Sequence, residues 1–519
     1  MLGKIGRALL VLIPLVLLVL LALRLLHPLP DPAGREASSA IPASDRTVLG
    51  AAVLPLAVDH PGTSGIYPLG NGVDAFAARV ALARAADVSI DAQYYIWADD
   101  LTGIRLLAEL QDAANRGVRV RLLVDDNGTP ALDQELVALD ALPTAEVRYF
   151  NPFMMRSPRV LNYAFDFFRL NRRMHNKSFT VDGAVTIVGG RNIGDVYFET
   201  GAGHLYFDLD VLAAGPAAAA VGADFDRYWN SASAFPAAML ITAGADAADR
   251  LAARDEGGRT SPQGVAYAAA ARNTTLVRQI ESGTLSFDWV PATLFSDDPA
   301  KAQGLVDNDE LMVRKLMDEI GLPIHTVDII SAYFIPGTKG AESLAAFARS
   351  GATARTLTNA LEATDVVPVH AGYTRYRDTL IDADIGVYEL RAMGGDRKSV
   401  NDLGITELST AALHAKSLSV DGRRAFIGSF NFDPRSKQLN CEMGLLIDSP
   451  AIAGGMSGWL DANLPRLAWK VTRSEGGGLL WTSQDADGTD VTSTVEPNTT
   501  APLRAIVTVI GWLPVEWLL

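Results

Sequence analysis

Two stretches of the sequence repeat the same five chemically active residues at the same spacing. Each begins at a histidine and has Lys at +2, Asp at +7, Gly at +14 and Asn at +17. A lone histidine is more often structural than catalytic, but two copies without an insertion indicate one shared function. These residues are His175, Lys177, Asp182, Gly189 and Asn192 in the first copy, and His414, Lys416, Asp421, Gly428 and Asn431 in the second.

The residue types in both copies suit chemistry on a phosphodiester. This group is anionic, so Lys177 and Lys416 would screen it and stabilise charge in the transition state. One imidazole can act as a nucleophile and divide a difficult displacement into two easier ones. A second imidazole, held protonated, can give its proton to the leaving alcohol and later take one from the incoming alcohol. The pair predicts two histidines in opposite protonation states.

The elements around the motifs form a repeated α/β pattern. Each motif has apolar residues on both sides of Val-Asp-Gly, which predicts a β-hairpin with His and Lys on one face. Upstream, helices and strands alternate in the same order before each motif. The strands that end at Ile96 and Ile335 lie 239 residues apart, as do His175 and His414. The sequence therefore predicts a duplicated domain. The elements expected are helix 73–86, strand 88–96, helix 102–116 and strand 118–124, then helix 311–320, strand 326–335, helix 341–349 and strand 354–358.

Composition narrows the class of protein. The chain has 519 residues, 49% of them hydrophobic and 20% charged, with a formal net charge of −15. Proteins that bind nucleic-acid backbones usually carry an excess of Lys and Arg, so the balance argues against that class. Cys441 is the single cysteine, which excludes an intrachain disulfide and a cysteine-based zinc site.

The N-terminus has the composition of a membrane segment. Lys4 and Arg7 precede an uncharged apolar run over residues 8–23. It fits a signal anchor and also a cleaved signal peptide. The predicted division of the chain is residues 1–26 as anchor or signal peptide, 27–50 as tether, 51–236 as first domain, 237–300 as linker with inserted structure, 301–480 as second domain, and 481–519 as a polar segment with an apolar, Trp-containing tail.

Several longer stretches resemble the phospholipase D superfamily, in particular bacterial cardiolipin synthase C-type proteins. They include IDAQYYIWADDLTG, LNRRMHNKSFTVDG, VGGRNIGDVYF, SAYFIPGTKG, LHAKSLSVDG and IGSFNFDPRS. The resemblance extends over roughly residues 69–519. It implies an α/β fold class, with two homologous phospholipase D-like α/β/α sandwich domains that form a pseudo-two-fold active site behind an N-terminal membrane segment.

The resemblance also implies roles for the residues. One histidine forms a phosphohistidine and the other is the general acid; we assign these roles to His175 and His414, although neither flank decides the order. Four residues are expected to bind the substrate phosphate: Asn192, Asn431, Gly190 and Ser429. Asp208 and Glu442 are candidates for the carboxylates behind the imidazoles. Asp182 and Asp421 are candidate catalytic residues, but they precede glycine and fit a turn role equally well.

The predicted reaction is phosphatidyl transfer to give cardiolipin from phosphatidylglycerol and a second phospholipid. Hydrolytic phospholipase D activity uses the same covalent step, so the motifs leave the acceptor open. A phosphodiesterase nuclease is a weaker alternative, and a noncatalytic membrane scaffold is disfavoured because both motifs are complete. The mechanism calls for no metal and no cofactor. The expected partners are phospholipids and a membrane but not nucleic acid, and any accessory protein is unknown. The expected location is the bacterial inner membrane, with the catalytic portion in the periplasm.

Overall fold

The structure, a computed structural model, describes residues 2–200, 205–282, 284–322, 325–392, 411–485 and 487–519. Two α/β halves follow one another along the chain, each built on a mixed sheet. The change from one half to the other falls between Val290 and Ala292, because the strand before it joins the first sheet and the strand after it joins the second. Two α/β domains with mixed sheets are what the sequence predicts.

The elements of the first half run from the N-terminus to Val290. Its strands are β1 (Ser64–Leu69), β2 (Ser89–Ile96), β3 (Arg119–Gly128), β4 (Ala145–Phe150), β5 (Ser178–Val181), β6 (Val185–Gly189), β7 (Leu205–Phe207), β8 (Asp210–Ala214), β9 (Ala234–Pro236) and β10 (Asp288–Val290). Its helices are α1 (Leu2–Leu26), α2 (Val48–Asp59), α3 (Gly72–Ala85), α4 (Leu101–Asn115), α5 (Asp133–Asp140), α6 (Asn162–Leu170), α7 (Pro216–Trp229), α8 (Ala247–Thr260), α9 (Pro262–Arg272) and α10 (Thr275–Glu281).

The elements of the second half run from Ala292 to the C-terminus. Its strands are β11 (Ala292–Ser296), β12 (Thr326–Ser331), β13 (Thr353–Asn359), β14 (Gly386–Leu390), β15 (Ala411–Leu413), β16 (Lys416–Val420), β17 (Arg424–Gly428), β18 (Met443–Asp448), β19 (Ala468–Arg473), β20 (Leu479–Gln484) and β21 (Asp490–Ser493). Its helices are α11 (Met312–Ile320), α12 (Gly337–Arg349), α13 (Val367–Asp382), α14 (Pro434–Gln438), α15 (Pro450–Leu467) and α16 (Ala501–Gly511).

The strand order is the same in both sheets over seven positions. The first sheet contains the order β8-β6-β5-β2-β3-β4-β9, and the second contains β18-β17-β16-β12-β13-β14-β19. A buried ion pair repeats with it, because Arg121 binds Asp91 in the first half as Arg355 binds Asp328 in the second. The predicted duplication is thus visible in topology and in side-chain pairing.

The register of the first central strand corrects one detail of the predicted repeat. Asp91 lies opposite Thr180, and Asp328 lies opposite Ser419. The two strands are therefore offset by 237 residues, whereas the histidine motifs are offset by 239. A slip of two residues leaves every side chain on the same face, so alternating apolar strings match almost as well in the wrong register.

Both faces of each sheet are covered. In the first half, Leu122 and Phe179 pack against α3, α4 and α5, while Val188 and Val211 face α7 and the other half. Ile427 and Leu445 of the second sheet belong to that same buried cluster. Successive strand residues point to opposite faces, so strands buried on both sides must be apolar almost throughout. The shared cluster fixes the two sheets against each other.

Capping residues explain where the principal helices start. The Asn71 side chain accepts a hydrogen bond from the amide of Asp74 at the start of α3. Asp100 does the same for Gly103 at the start of α4. Ser449 and Pro450 begin α15, with the Ser449 hydroxyl accepting from the Ile452 amide. Such caps satisfy amides that have no partner inside the helix.

The predicted tether lies along the first domain. The Arg35 guanidinium donates to the carbonyl oxygen of Asn230 at 2.6 Å, and the Ala40 amide donates to Asp226 at 2.8 Å. The Arg121 guanidinium also donates to the Ser38 carbonyl oxygen at 3.0 Å. The segment predicted as a linker, 237–300, contains α8, α9 and α10 together with strands of both sheets. The Pro-, Ala- and Ser-rich composition of the tether does not show these docking contacts, and inserted structure within residues 237–300 was predicted.

The N-terminal helix α1 contacts α6, and Arg24 near its end binds Asp166 at 3.3 Å. Within the part of the chain that the structure describes, no helix has the length and apolarity needed to cross a bilayer. The N-terminal membrane segment remains a prediction.

Candidate active site

The two histidines lie on extended segments that pair with the opposite half of the molecule. The His175 amide donates to the carbonyl oxygen of Cys441 at 2.8 Å. The His414 amide donates to the carbonyl oxygen of Phe207 at 2.8 Å, continuing the parallel pairing of β15 with β7. The predicted hairpins are present, but β5 and β16 begin after each histidine, which lies just before its strand. Both imidazoles meet where the halves join.

The carboxylates behind the imidazoles are exchanged between the halves. Nδ1 of His175 lies 2.9 Å from Oε2 of Glu442, and Nδ1 of His414 lies 2.5 Å from Oδ2 of Asp208. A carboxylate at Nδ1 holds the proton there and leaves Nε2 with the lone pair that attacks or accepts. Each His–carboxylate pair is thus assembled from both halves, and neither half carries a complete pair.

Both lysines are buried beside the histidines and near the two carboxylates. Nζ of Lys177 donates to the carbonyl oxygen of His175 at 2.5 Å. Nζ of Lys416 donates to the carbonyl oxygen of His414 and lies 3.1 Å from its Nδ1. Burial lowers the pKa of Lys177 to about 7, although the charge of Glu442 opposes the shift. Burial likewise lowers the pKa of Lys416. An anion placed between the ammonium groups would favour their charged forms.

Burial disfavours the charged forms of both histidines. Burial lowers the pKa of His175 to about 4, against the opposing charge of Glu442. Burial and then the charge of Lys416 lower the pKa of His414. Burial alone would raise the pKa of Glu442, but His175 and Lys177 lower it below its usual value. The division into one neutral and one protonated imidazole stays a prediction. A bound phosphodiester anion would supply the charge that lets one imidazole take a proton.

Gly190 and Ser429, predicted to contact substrate, instead support the carboxylates. The Ser429 hydroxyl donates to Oε2 of Glu442 at 2.5 Å, and its carbonyl oxygen lies 3.1 Å from Nδ1 of His175. A Cβ at Gly190 would lie 2.1 Å from Oδ1 of Asp208. Position 190 therefore requires glycine, which leaves room for Asp208. At position 429 the serine hydroxyl supports Glu442 by a hydrogen bond.

The two asparagines are not equivalent. Oδ1 of Asn192 accepts from the Ile96 amide at 3.1 Å, and its Nδ2 donates to the Tyr197 hydroxyl at 3.0 Å. Asn192 thus positions Tyr197, and its predicted contact with phosphate is not supported. Asn431 is buried and its Oδ1 has no partner among the described residues. Of the two, Asn431 has the side chain available to the phosphate or a lysine.

Asp182 and Asp421 lie at the far end of their strands from the histidines. Seven residues of extended chain correspond to roughly 20 Å. Asp182 accepts from the amides of Asp87, Val88 and Ser89, and Asp421 accepts from those of His325 and Thr326. Both have positive φ, at 51° and 55°, and each is followed by a glycine with positive φ. These contacts favour the turn role that the sequence left open, and a catalytic role for either residue stays a prediction.

Aromatic rings pack against both histidines. These rings were not among the predicted site residues. The Tyr95 ring centroid lies 5.0 Å from that of His175, and Tyr197 and Tyr206 lie 5.0 and 4.9 Å from that of His414. The sequence offset of 239 residues aligns Tyr95 with Phe334, whereas the strand register makes Tyr95 correspond to Ala332. The pair Tyr94 and Tyr95 at the end of β2 is a sequence feature that could have indicated Tyr95.

Comparison with known proteins shows the family of the chain. Residues 80–229 and 316–463 match the family model described as cardiolipin synthase, PLD-like domain. The chain belongs to this phospholipase D-like cardiolipin synthase family. It is 44% identical over 472 residues to cardiolipin synthase C of Escherichia coli strain K12, a match that covers 91% of this chain and 99% of that protein.

Two further matches are more distant. A cardiolipin synthase of Oceanobacillus iheyensis is 26% identical over 399 residues, covering 75% of this chain and 67% of that protein. The crystal structure of phosphatidylserine synthase from Haemophilus influenzae Rd KW20 matches with a TM-score of 0.52 at 14% identity, covering 78% of this chain and 86% of that one. This second likeness concerns the fold. Each of the two segments that match the family model contains one complete His-Lys motif.

Proposed function

We propose that this protein is a phosphatidyltransferase that makes cardiolipin from phosphatidylglycerol and a second phospholipid through a phosphohistidine. The observation that carries the proposal is the exchanged pair of His–carboxylate contacts with a buried lysine beside each histidine. The 44% identity to Escherichia coli cardiolipin synthase C over 91% of the chain supports the choice of reaction.

In the proposed first step, Nε2 of His175 attacks the phosphorus of the donor lipid. The bond from phosphorus to the headgroup oxygen breaks, and the departing alkoxide takes a proton from His414. In the second step His414 removes a proton from the acceptor alcohol, whose oxygen attacks phosphorus and releases His175. Lys177 and Lys416 lie close enough to neutralise the nonbridging oxygens in both steps. Glu442 and Asp208 hold the protons on Nδ1 throughout.

An apolar rim at the His175 end of the site supports a lipid substrate. It is formed by exposed side chains of α6, the turn before it and the C-terminal tail: Val160, Leu161, Phe168, Trp512, Leu513 and Trp517. Arg435 joins its two parts, donating to Oδ1 of Asn171 after α6 and to the carbonyl oxygen of Leu518 in the tail. Exposed apolar groups clustered in this way mark interaction surfaces, and tryptophan favours the membrane interface.

The rim connects to the reacting groups through few side chains. The Tyr163 hydroxyl of α6 donates to Asn127 at 3.2 Å, and Asn127 donates to the hydroxyl of Tyr95, also at 3.2 Å. The Tyr95 ring packs against His175. A lipid held at the rim would therefore approach the phosphohistidine end. We include in the proposal the predicted location at the bacterial inner membrane, with the catalytic domains in the periplasm.

The decisive assay gives the purified protein vesicles of phosphatidylglycerol with and without phosphatidylethanolamine, and identifies products by mass. Cardiolipin formation is expected. Phosphatidic acid without cardiolipin would overturn the synthase proposal and favour hydrolytic phospholipase D. The nuclease alternative predicts cleavage of single-stranded DNA in place of either lipid product, and the net charge of −15 disfavours it.

The rim is tested by Phe168→Asp, whose side chain is 79% exposed and can change without disturbing the core. We expect a loss of vesicle binding in a flotation assay and an about tenfold loss of activity on vesicles, because a charge opposes insertion. Activity on a short-chain lipid dispersed as monomers should persist. The matched control is Leu322→Asp, 91% exposed at the opposite end of the second sheet. Equal losses in both variants would argue against the rim.

A further inference from the structure

The His414 end of the site holds a carboxylate that the proposed phosphoryl chemistry does not use. Asp365 lies exposed in the loop between β13 and α13. Its Oδ2 accepts hydrogen bonds from the Tyr206 hydroxyl at 3.0 Å and from the Tyr333 hydroxyl at 2.9 Å. Tyr206 belongs to β7 of the first half and Tyr333 follows β12 of the second. The three side chains, here called the Asp365 cluster, bridge the two halves.

The Asp365 cluster lies one side chain away from the general acid. The Tyr206 ring centroid is 4.9 Å from that of His414 and 5.1 Å from that of Tyr197. Asp365 is also one of the carboxylates whose charge opposes the lowering of the pKa of Lys416 by burial. The cluster therefore borders the space where the headgroup oxygen must exchange its proton with His414.

Charge decides which part of a substrate such a group can meet. The phosphodiester is anionic and is drawn to Lys177 and Lys416, whereas a carboxylate repels it. The two phenols donate to the same oxygen of Asp365, so its other oxygen can accept from a ligand O–H or N–H. The His175 end offers neutral groups, Tyr95 and Asn127, and leads to the apolar rim. The two ends thus suit the two unlike parts of a phospholipid.

We propose that Asp365, with Tyr206 and Tyr333, forms a subsite for the headgroup alcohol that leaves or enters at His414, a small alcohol bearing further O–H or N–H donors. The inference rests on the proposed function and deepens it by naming the residues that select the acceptor. Glycerol-type and ethanolamine-type headgroups share this chemistry, since both present donors a few bonds from the reacting oxygen. Water lacks the second donor at that distance, so the subsite favours transfer over hydrolysis.

The test uses Asp365→Asn in the full chain. The carboxamide oxygen can still accept from both tyrosines, so the bridge between the halves is kept, while the accepting oxygen facing the ligand becomes an N–H donor. Phosphatidylglycerol vesicles are supplied with water alone, with added deuterated glycerol, or with added ethanolamine, and the products are separated by mass; the label distinguishes newly formed phosphatidylglycerol from the donor. Glu342→Gln, an exposed carboxamide variant on α12, is the matched control.

We expect the apparent KM for the added alcohol to rise about tenfold in Asp365→Asn, in line with the loss of a hydrogen bond to a charged group. The ratio of hydrolysis to transfer at a fixed alcohol concentration should rise correspondingly, because both products share the first step and only the entering alcohol distinguishes them. The melting temperature should be unchanged. A rise with ethanolamine alone identifies the ammonium as the ligand group, and a rise with both alcohols identifies the hydroxyls; each supports the subsite.

Two results would overturn the inference. An unchanged KM for both alcohols would show that Asp365 contacts neither headgroup. Equal losses of transfer and hydrolysis would show that the cluster only holds the halves together. Failure of the proposed function would look different, because the unchanged protein would then form no transfer product with either alcohol, whether or not it formed phosphatidic acid. Tyr206→Phe, which removes one phenol but leaves the carboxylate, should give a smaller rise in KM in the same direction.

Discussion

The two halves of the active site present the same histidine and lysine but support them differently. The segment carrying His175 is held by Asp125, which accepts from the Met174 amide at 2.9 Å and is bound by Arg173. The segment carrying His414 is held at the corresponding position by neutral Asn359, which both accepts from and donates to the backbone of Leu413.

The carboxylates behind the imidazoles differ as well. His175 has the longer Glu442, which also accepts from the Ser429 hydroxyl, whereas His414 has the shorter Asp208, packed against Gly190. Duplication thus preserved the reacting groups and let their surroundings diverge. Because two identical imidazoles cannot act as nucleophile and acid at once, these unlike surroundings are where the division of labour must arise.

The largest expected effect comes from the exchanged carboxylates. Glu442→Gln and Asp208→Asn should each lower kcat about 100-fold or more, because the amide no longer holds the proton on Nδ1 and the imidazole loses its charge partner. Steady-state kinetics on phosphatidylglycerol vesicles measures this, and far-UV circular dichroism checks the fold. A loss in only one variant would show that one pair carries no catalytic role and would break the comparison.

Next in size is the contrast between Gly190→Ala and Ser429→Ala. The first places a Cβ where Asp208 lies, so the carboxylate must move and kcat should fall about tenfold or more. The second removes one hydrogen bond to Glu442 and should cost less than tenfold. The two variants are measured side by side. A greater loss in Ser429→Ala would mean that the hydroxyl, and not the glycine, is the more critical support.

The pH dependence follows from the shifted groups of the His175 half. His175, with a pKa of about 4, must be neutral to attack, so kcat/KM should rise as the pH increases through that value. Lys177, with a pKa of about 7, must be charged to bind the anion, so kcat/KM should fall as the pH increases through that value. On the acidic and on the alkaline limb of this pH profile, kcat/KM should change by close to tenfold per pH unit.

Lys177→Arg separates these limbs, because arginine stays protonated across the range. The part of the alkaline fall that Lys177 causes near pH 7 should disappear, and the fall that remains is the loss of the proton that His414 must donate, at the lower pKa of that histidine. Persistence of the same limb near pH 7 would assign it to another group.

The smallest effect on activity, and a clear one on stability, is expected at the hairpin turns. Asp182→Ala leaves three backbone amides without their acceptor and should lower the free energy of unfolding by about 1–3 kcal/mol. The value of kcat should change little, since the residue lies far from the histidines. Chemical denaturation and kinetics on the same preparation test both points. A large loss of kcat with normal stability would restore Asp182 to the catalytic set.

Much of this site follows from the sequence, and the remainder depends on contacts between the halves. The motif spacing identifies both histidines, both lysines and the hairpins, because these are local properties of a repeated string. Asp208 and Glu442 were found as candidates by their place after each motif, but no local pattern shows that each one serves the histidine of the other half. That exchange arises from backbone pairing between residues more than 200 positions apart.

The aromatic walls and the Asp365 cluster were missed for a related reason. Tyr95 lacks an aromatic counterpart only in the observed strand register, and Tyr206 and Asp365 lie outside the repeated motifs, so comparison of the motifs does not identify them. The strand register was misjudged because a slip of two residues preserves the alternation of faces. The sequence is therefore informative about what the halves share and weak about how they differ, which is where roles and specificity are determined.

The central claim is that one site, built across both halves, forms its covalent intermediate on His175. The most direct measurement is rapid acid-free quenching of the His414→Ala variant with a donor whose leaving alcohol needs no protonation, followed by peptide mass analysis. The proposal predicts a phosphatidyl adduct on the peptide that contains His175, and no adduct in His175→Ala. The assignment would be contradicted by an adduct on His414 in the His175→Ala protein together with no adduct on His175 in the His414→Ala protein.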